Sequence, residues 1–252
     1  MISLDTYFSV ALLASHLLPI LCIFSAAFLQ SITGFGLVII AAPLLMFFYD
    51  AKFTVLIMIL LVNLAHIIQL PMVFRQADFK VIRWLICGAI IGQPLGFFIY
   101  YNFSSYMLKL FVSIAILAFL LTMQFSHIRI RERKRNSLGI GALSGVLTTT
   151  TGMGGPPLVM YFAYTAYTPA KLRATCIVYF LLSGICSLAT FIIGGTDLLP
   201  AWHESIILLP GLVLGLLCGS AIFKYIPAAL FKRLIFVILY FMCFYSIYVI
   251  LK

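Results

Sequence analysis

Ten apolar runs are separated by short polar stretches along this chain, and they come in two lengths. Those at 53–74, 81–101, 106–125, 174–193, 205–223 and 230–251 are long enough, as helices, to cross the ~30 Å hydrocarbon core of a bilayer. A first run at 7–30 is interrupted by His16 and Pro19. The runs at 37–48, 138–147 and 158–167 are only ten to twelve residues long, and as helices reach ~15–18 Å. The pattern therefore predicts re-entrant helical hairpins over 20–48 and 138–167, each turning near the membrane midplane. All ten segments spanning is the alternative, and segment length alone separates the two. Residues 7–19 either lengthen the first segment or lie at the outer surface; the pattern leaves both open.

Each predicted hairpin turns at a break. The first is Gln30-Ser31-Ile32-Thr33-Gly34-Phe35-Gly36; the second is Thr148-Thr149-Thr150-Thr151-Gly152-Met153-Gly154-Gly155-Pro156-Pro157. Glycine frees the backbone and proline removes its donor, so neither stretch continues a helix well. Lipid cannot solvate the backbone groups so released; such a break persists only inside protein or against a water-filled cavity. The two share Thr-Gly-x-Gly, and other features recur in the same order. Lys52 and Lys171 open matching runs, Gly92–Gly96 is matched to Gly211–Gly215, and Lys109 to Lys232. The fold class expected is an all-α polytopic membrane protein of two repeats, each a broken or re-entrant helix pair followed by three transmembrane helices. Residues 1–126 form the first repeat, 127–137 a basic linker and 138–252 the second repeat. Five segments per half is an odd number, so the repeats have inverted topology.

Composition narrows the class. Of 252 residues, 64% are hydrophobic and 9% charged, against roughly 25% charged in soluble domains. A net charge of +10 suits nucleic acid in principle, but the basic residues avoid the apolar runs and gather in short loops. With the linker placed in the cytoplasm, thirteen of the sixteen Lys and Arg fall on that side, while Asp5, Asp50, Asp197, Glu204 and both termini fall outside. An integral protein of the cell (inner) membrane is expected, without a nucleic-acid partner. Six single cysteines with no CxxC or Cys/His spacing argue against disulfides and a metal site, and no cofactor is expected. The N-terminus has no basic n-region and no small-residue cleavage pattern.

Gly141-Ala142-Leu143-Ser144-Gly145, Thr151-Gly152-Met153-Gly154-Gly155-Pro156-Pro157-Leu158-Val159 and Arg173-Ala174-Thr175 together resemble the second-half signature of the TauE/SafE family, the sulfite exporter and related anion permeases. Phe28 to Gly36 and Pro43-Leu44-Leu45 resemble the first-half signature, although Phe35-Gly36-Leu37 stands where many members carry three glycines. The resemblance implies a transporter of small, mainly sulfur-containing anions such as sulfite or an organosulfonate.

The residue chemistry is compatible with an anion. A helix beginning after a break presents free amides and the positive end of its dipole. Candidate substrate-binding residues are Gln30, Thr33, Gly34 and Gly36 at the first break, and Thr150, Thr151, Gly152, Gly154 and Gly155 at the second. The structural alternative is that the glycines permit close packing and the threonines bond their own backbone. Asn63, His66 and Gln69 share one face of the run 53–74. Asn63, His66 and Gln93 either belong to a pathway or coupling site, or bond between helices. No Asp or Glu falls within a long run, so His66 is the one obvious candidate for a proton relay, whereas an exported anion can follow the membrane potential. Export is the expected direction; uptake coupled through His66, and a non-transporting membrane subunit or assembly factor, are the alternatives. No Walker A motif, HExxH or nucleophile–base set occurs, so an enzyme is not expected. Oligomeric state is left open.

Overall fold

The computed structural model describes residues 15–33, 36–125, 133–162 and 167–222, all helices and connections. The chain's first residues, Gly34, most of the basic linker and the run 230–251 lie outside the described residues. Helix α1 spans Leu17–Thr33, α2 Leu37–Leu45, α3 Ala51–Val73, α4 Phe79–Asn102 and α5 Ser105–Phe125. The second half gives α6 Lys134–Thr151, α7 Gly155–Phe162, α8 Pro169–Ile193 and α9 Leu199–Ile222. No strand occurs among the described residues. Among the described residues, four segments are long and apolar enough to cross a membrane: Ala51–Gln76, Phe79–Asn102, Ala170–Ile193 and Leu199–Ala221. Their outward faces carry Ile67, Met72, Ile91, Phe98, Ile193 and Leu217, all exposed, as a surface meeting lipid tails requires.

The arms flanking each break are unequal, which corrects the expectation of two short arms. The arm before the break has 17 residues in α1 and 18 in α6, ~25 Å of helix. The arm after it has 9 in α2 and 8 in α7. Helix α6 extends back to Lys134, into the basic stretch, because Lys and Arg are good helix formers. The long arms hold on through glycine seams. Gly88, Gly92 and Gly96 of α4 lie against the backbone of Leu138, Ala142 and Val146 of α6, and Gly141 and Gly145 of α6 reciprocate against Leu85 and Ala89. A β-carbon at any of these would overlap backbone. Gly211, Gly215 and Gly219 of α9 meet Ile20, Phe24 and Phe28 of α1 in the same way.

These contacts correct the register read from the sequence. Leu138, Ala142 and Val146 each stand 118 residues beyond Ile20, Phe24 and Phe28. The glycines covering them stand 123 apart, so Gly92 corresponds to Gly215, one turn beyond Gly211. The long arm of each half thus packs on the fourth helix of the other. Helices α3 and α8 pack on each other and reach both pairs, α3 against α9 and α8 against α4, and α2, packed on α1 and α3, is buried along nearly its whole length.

Two polar latches tie the halves at opposite ends of α3. At its start, the Tyr49 hydroxyl donates to Glu204 of α9 at 2.6 Å, with His16 Nε2 3.5 Å from the same oxygen. Burial raises the Tyr49 pKa, and the bond to Glu204 and its charge raise it further. Glu204 lies within α9 because that helix starts at Leu199, ahead of the apolar run at 205–223; one carboxylate therefore does enter a long helix. At the far end, Asp78 accepts from Tyr167 (2.9 Å) and Lys171 (2.7 Å) and caps α4 through the amides of Lys80 and Val81. Burial pushes the Asp78 carboxyl up, but its bonds from Lys171 and Tyr167 and the Lys171 charge outweigh this and hold it below the usual carboxylate range. Tyr49 and Tyr167 are again 118 residues apart.

Candidate functional site

A cavity of about 50 Å³ lies where α2 and α7 begin, walled in part by α1, α3, α6 and α8. One water needs ~10–15 Å³, so the space suits a ligand of a few heavy atoms. Gly36 adopts φ 115° immediately before α2, and Gly152 φ 75° immediately after α6. Those left-handed values are open to glycine and strained for other residues, so each glycine fixes where its break turns.

Ten of the sixteen lining residues form five matched pairs, each 118 residues apart: Gln30 with Thr148, Gly36 with Gly154, Leu37 with Gly155, Val62 with Phe180 and His66 with Gly184. Its chemistry is lopsided. Polar side chains from the first half, Gln30, Asn63 and His66, are answered in the second by Thr148, Leu181 and Gly184. The backbone is lopsided too. Leu37, Val38 and Ile39 open α2 with amides that have no intrahelical acceptor. The corresponding start of α7 carries Pro156 and Pro157, which have no amide hydrogen to give. The first half supplies donors and the second supplies room.

The buried polar residues are arranged as follows. The Gln30 amide nitrogen lies 3.3 Å from His66 Nε2, and the His66 ring stacks on Phe180. His66 Nδ1 has no hydrogen-bond partner. The Asn63 amide nitrogen donates to the Ile59 carbonyl at 2.7 Å, leaving Oδ1 without a partner. That amide lies against the Gly184 α-carbon, where any side chain would displace it. Gln69, the third polar residue on this face of α3, is buried away from the cavity wall.

The structure brings Gln30, Gly36, Gly152, Gly154 and Gly155 to the cavity, with Asn63 and His66. Thr150 and Thr151 are buried elsewhere. Their hydroxyls donate to the carbonyls of Val146 and Leu147 one turn back, both at 2.8 Å, and the Met153 amide donates to the Thr151 oxygen at 3.1 Å. Thr148 does line the cavity, its hydroxyl donating to the Ser144 carbonyl. Gln93 bonds between helices: its amide nitrogen donates to the Ser183 carbonyl at 2.7 Å. Thr33 ends α1, and Gly34 lies outside the described residues. Thr148, Phe180 and Gly184 were not singled out from the sequence. The 118-residue offset carries Gln30, Val62 and His66 onto them, and was the available signal.

Apolar helices of spanning length around a small, mostly apolar cavity that holds a few buried polar side chains, with broken helices ending at it, define the build of a membrane transporter. The family model described as sulfite exporter TauE/SafE matches residues 19–246, and the chain belongs to that family. No curated protein and no solved structure matches the chain.

Proposed function

We propose that this protein exports a small sulfur-containing oxyanion, sulfite being the leading candidate, across the cell membrane through the cavity between the two breaks. The observation that carries the proposal is the cavity itself, walled by the amide-rich start of α2 and by buried Gln30, Asn63 and His66. Its ~50 Å³ favours an inorganic ion over a larger organosulfonate. The two halves are inverted repeats with both termini outside. Supporting this are the 118-residue offset shared by the breaks and the cavity lining, the reciprocal glycine seams and the distribution of basic loops. Thr150 and Thr151 act through the shape of the second break, and Gln93 through the packing of α4 on α8.

Moving one negative charge outward from a negative cytoplasm gains ~2.3 kcal/mol per 100 mV, so export needs no coupling ion. A second reading, uptake coupled to protons, draws on the position of His66 at the cavity wall. Liposomes containing only this protein, with an imposed potential and no pH gradient, separate the two. Sulfite flux is expected to follow the voltage, and in His66→Gln, which removes one donor from the wall, to remain voltage-driven with a higher KM. Flux that needs a pH gradient and vanishes in a well-folded His66→Gln protein would replace export by coupled uptake.

A further inference from the structure

We infer that the cavity selects an oxyanion that still carries a proton, a hydrogen oxyanion of single charge, over the fully deprotonated dianion and over monoanions with no hydrogen to donate. This rests on the reading of the cavity as an anion site and concerns which protonation state it accepts.

The first argument is charge. Among the described residues no Lys, Arg, Asp or Glu lines the cavity, and His66 is its one titratable lining group. Positive potential must come from the helix starts: that of α2, with three free amides, is equivalent to roughly half an elementary charge, and the proline-blocked start of α7 to less. Together they balance no more than about one negative charge. A second would enter uncompensated, and the cost of desolvating an ion rises with the square of its charge.

The second argument is hydrogen-bond inventory. The Gln30 amide nitrogen can only donate, so His66 Nε2, 3.3 Å away, must accept. The ring is then neutral with its hydrogen on Nδ1, an unpartnered donor. Asn63 is turned the other way: its nitrogen is committed to the Ile59 carbonyl, which leaves Oδ1 as an unpartnered acceptor. His66 and Asn63 are 2% and 5% exposed and lie three apart on one face of α3. Buried polar atoms normally find partners, and the α2 amides add further donors. A ligand that answers all of these needs several acceptor oxygens and one O–H. Hydrogen sulfite has both; the sulfite and sulfate dianions, nitrate and methanesulfonate have no hydrogen to donate.

The test uses the full-length protein in liposomes, with equal pH on both sides and protein-free liposomes subtracted. Sulfite uptake is measured across the second pKa of sulfurous acid, with nitrate, methanesulfonate and sulfate as competitors. KM for total sulfite should rise roughly tenfold per pH unit above that pKa, yet stay constant when counted as hydrogen sulfite. The donor-less monoanions should compete weakly and sulfate least. Asn63→Leu, checked for a normal unfolding temperature, should cut the preference for hydrogen sulfite over nitrate about five- to twentyfold. His66→Gln should keep the steepness of the pH profile. A flat KM, effective competition by sulfate, an unchanged preference in Asn63→Leu, or a profile that disappears in His66→Gln would each overturn this inference while leaving an anion transporter. Absence of flux for every anion from a folded, reconstituted protein would instead remove the transport reading beneath it.

Discussion

Glycines and threonines at the second break divide by what their side-chain positions meet. A β-carbon on Gly154 would overlap the Thr148 hydroxyl and crowd Ser144, whose own hydroxyl donates to the Gly154 carbonyl at 2.6 Å. Gly154→Ala is therefore expected to lower stability by about 1–3 kcal/mol, read as an earlier thermal transition in detergent. Thr151→Val keeps the shape but deletes the acceptor of the Met153 amide. We expect a loss of about 1–2 kcal/mol in the same assay, with KM little changed because the hydroxyl faces backbone. A KM change without a stability change would return Thr151 to the substrate. These roles were only partly legible. Thr-Gly-x-Gly marks where a helix must break, but a threonine inside a helix can bond one turn back or face outward, and composition does not choose between them.

Helix by helix, the apolar runs located α3, α4 and α8 to within a few residues, because spanning-length hydrophobicity is a strong signal. The glycine register was not legible for a physical reason. Glycines recur every fourth position at 88, 92 and 96 and at 211, 215 and 219, so GxxxG alone allows more than one alignment, and only the facing carbonyls choose. Glu204 was placed outside its helix for a similar reason, since one carboxylate ends an apolar run without ending a helix. The latch at Asp78 yields a pH prediction. Its carboxyl lies below the usual range when folded. The stability it contributes is therefore present above the unfolded pKa of ~3.9 and is lost as pH falls through the lower, folded value. At neutral pH, Asp78→Asn should cost about 0.5–1.5 kcal/mol, kept modest because Lys171 is partly exposed and screened by water. From about pH 4 downward the difference should shrink, and the two proteins should converge in thermal stability once the pH is below the folded Asp78 value. A constant difference down to acid pH would mean that the charge is not what the latch uses.

Taken as one molecule, the chain lines its cavity with residues from both halves of the sequence, and the two contribute different chemistry. Matching positions line both sides, but Gln30, Asn63, His66 and the α2 amides lie on one, while Gly184 and the proline-blocked start of α7 lie on the other. The second break has more glycines and threonines than the first, but its prolines and back-bonded hydroxyls leave it fewer donors. The central claim is that an anion passes through this cavity, and Gly155 offers the most direct test. A β-carbon there meets only the edge of the Phe180 ring, at 3.8 Å, so a larger residue can be accommodated by the fold while filling the cavity. Voltage-driven sulfite flux should be measured in liposomes for the native protein and for Gly155→Leu with an unchanged thermal transition. The account predicts flux in the first and at least a tenfold loss in the second, since the ~50 Å³ space cannot hold both a leucine side chain and an oxyanion. Undiminished flux through a folded Gly155→Leu protein would contradict it.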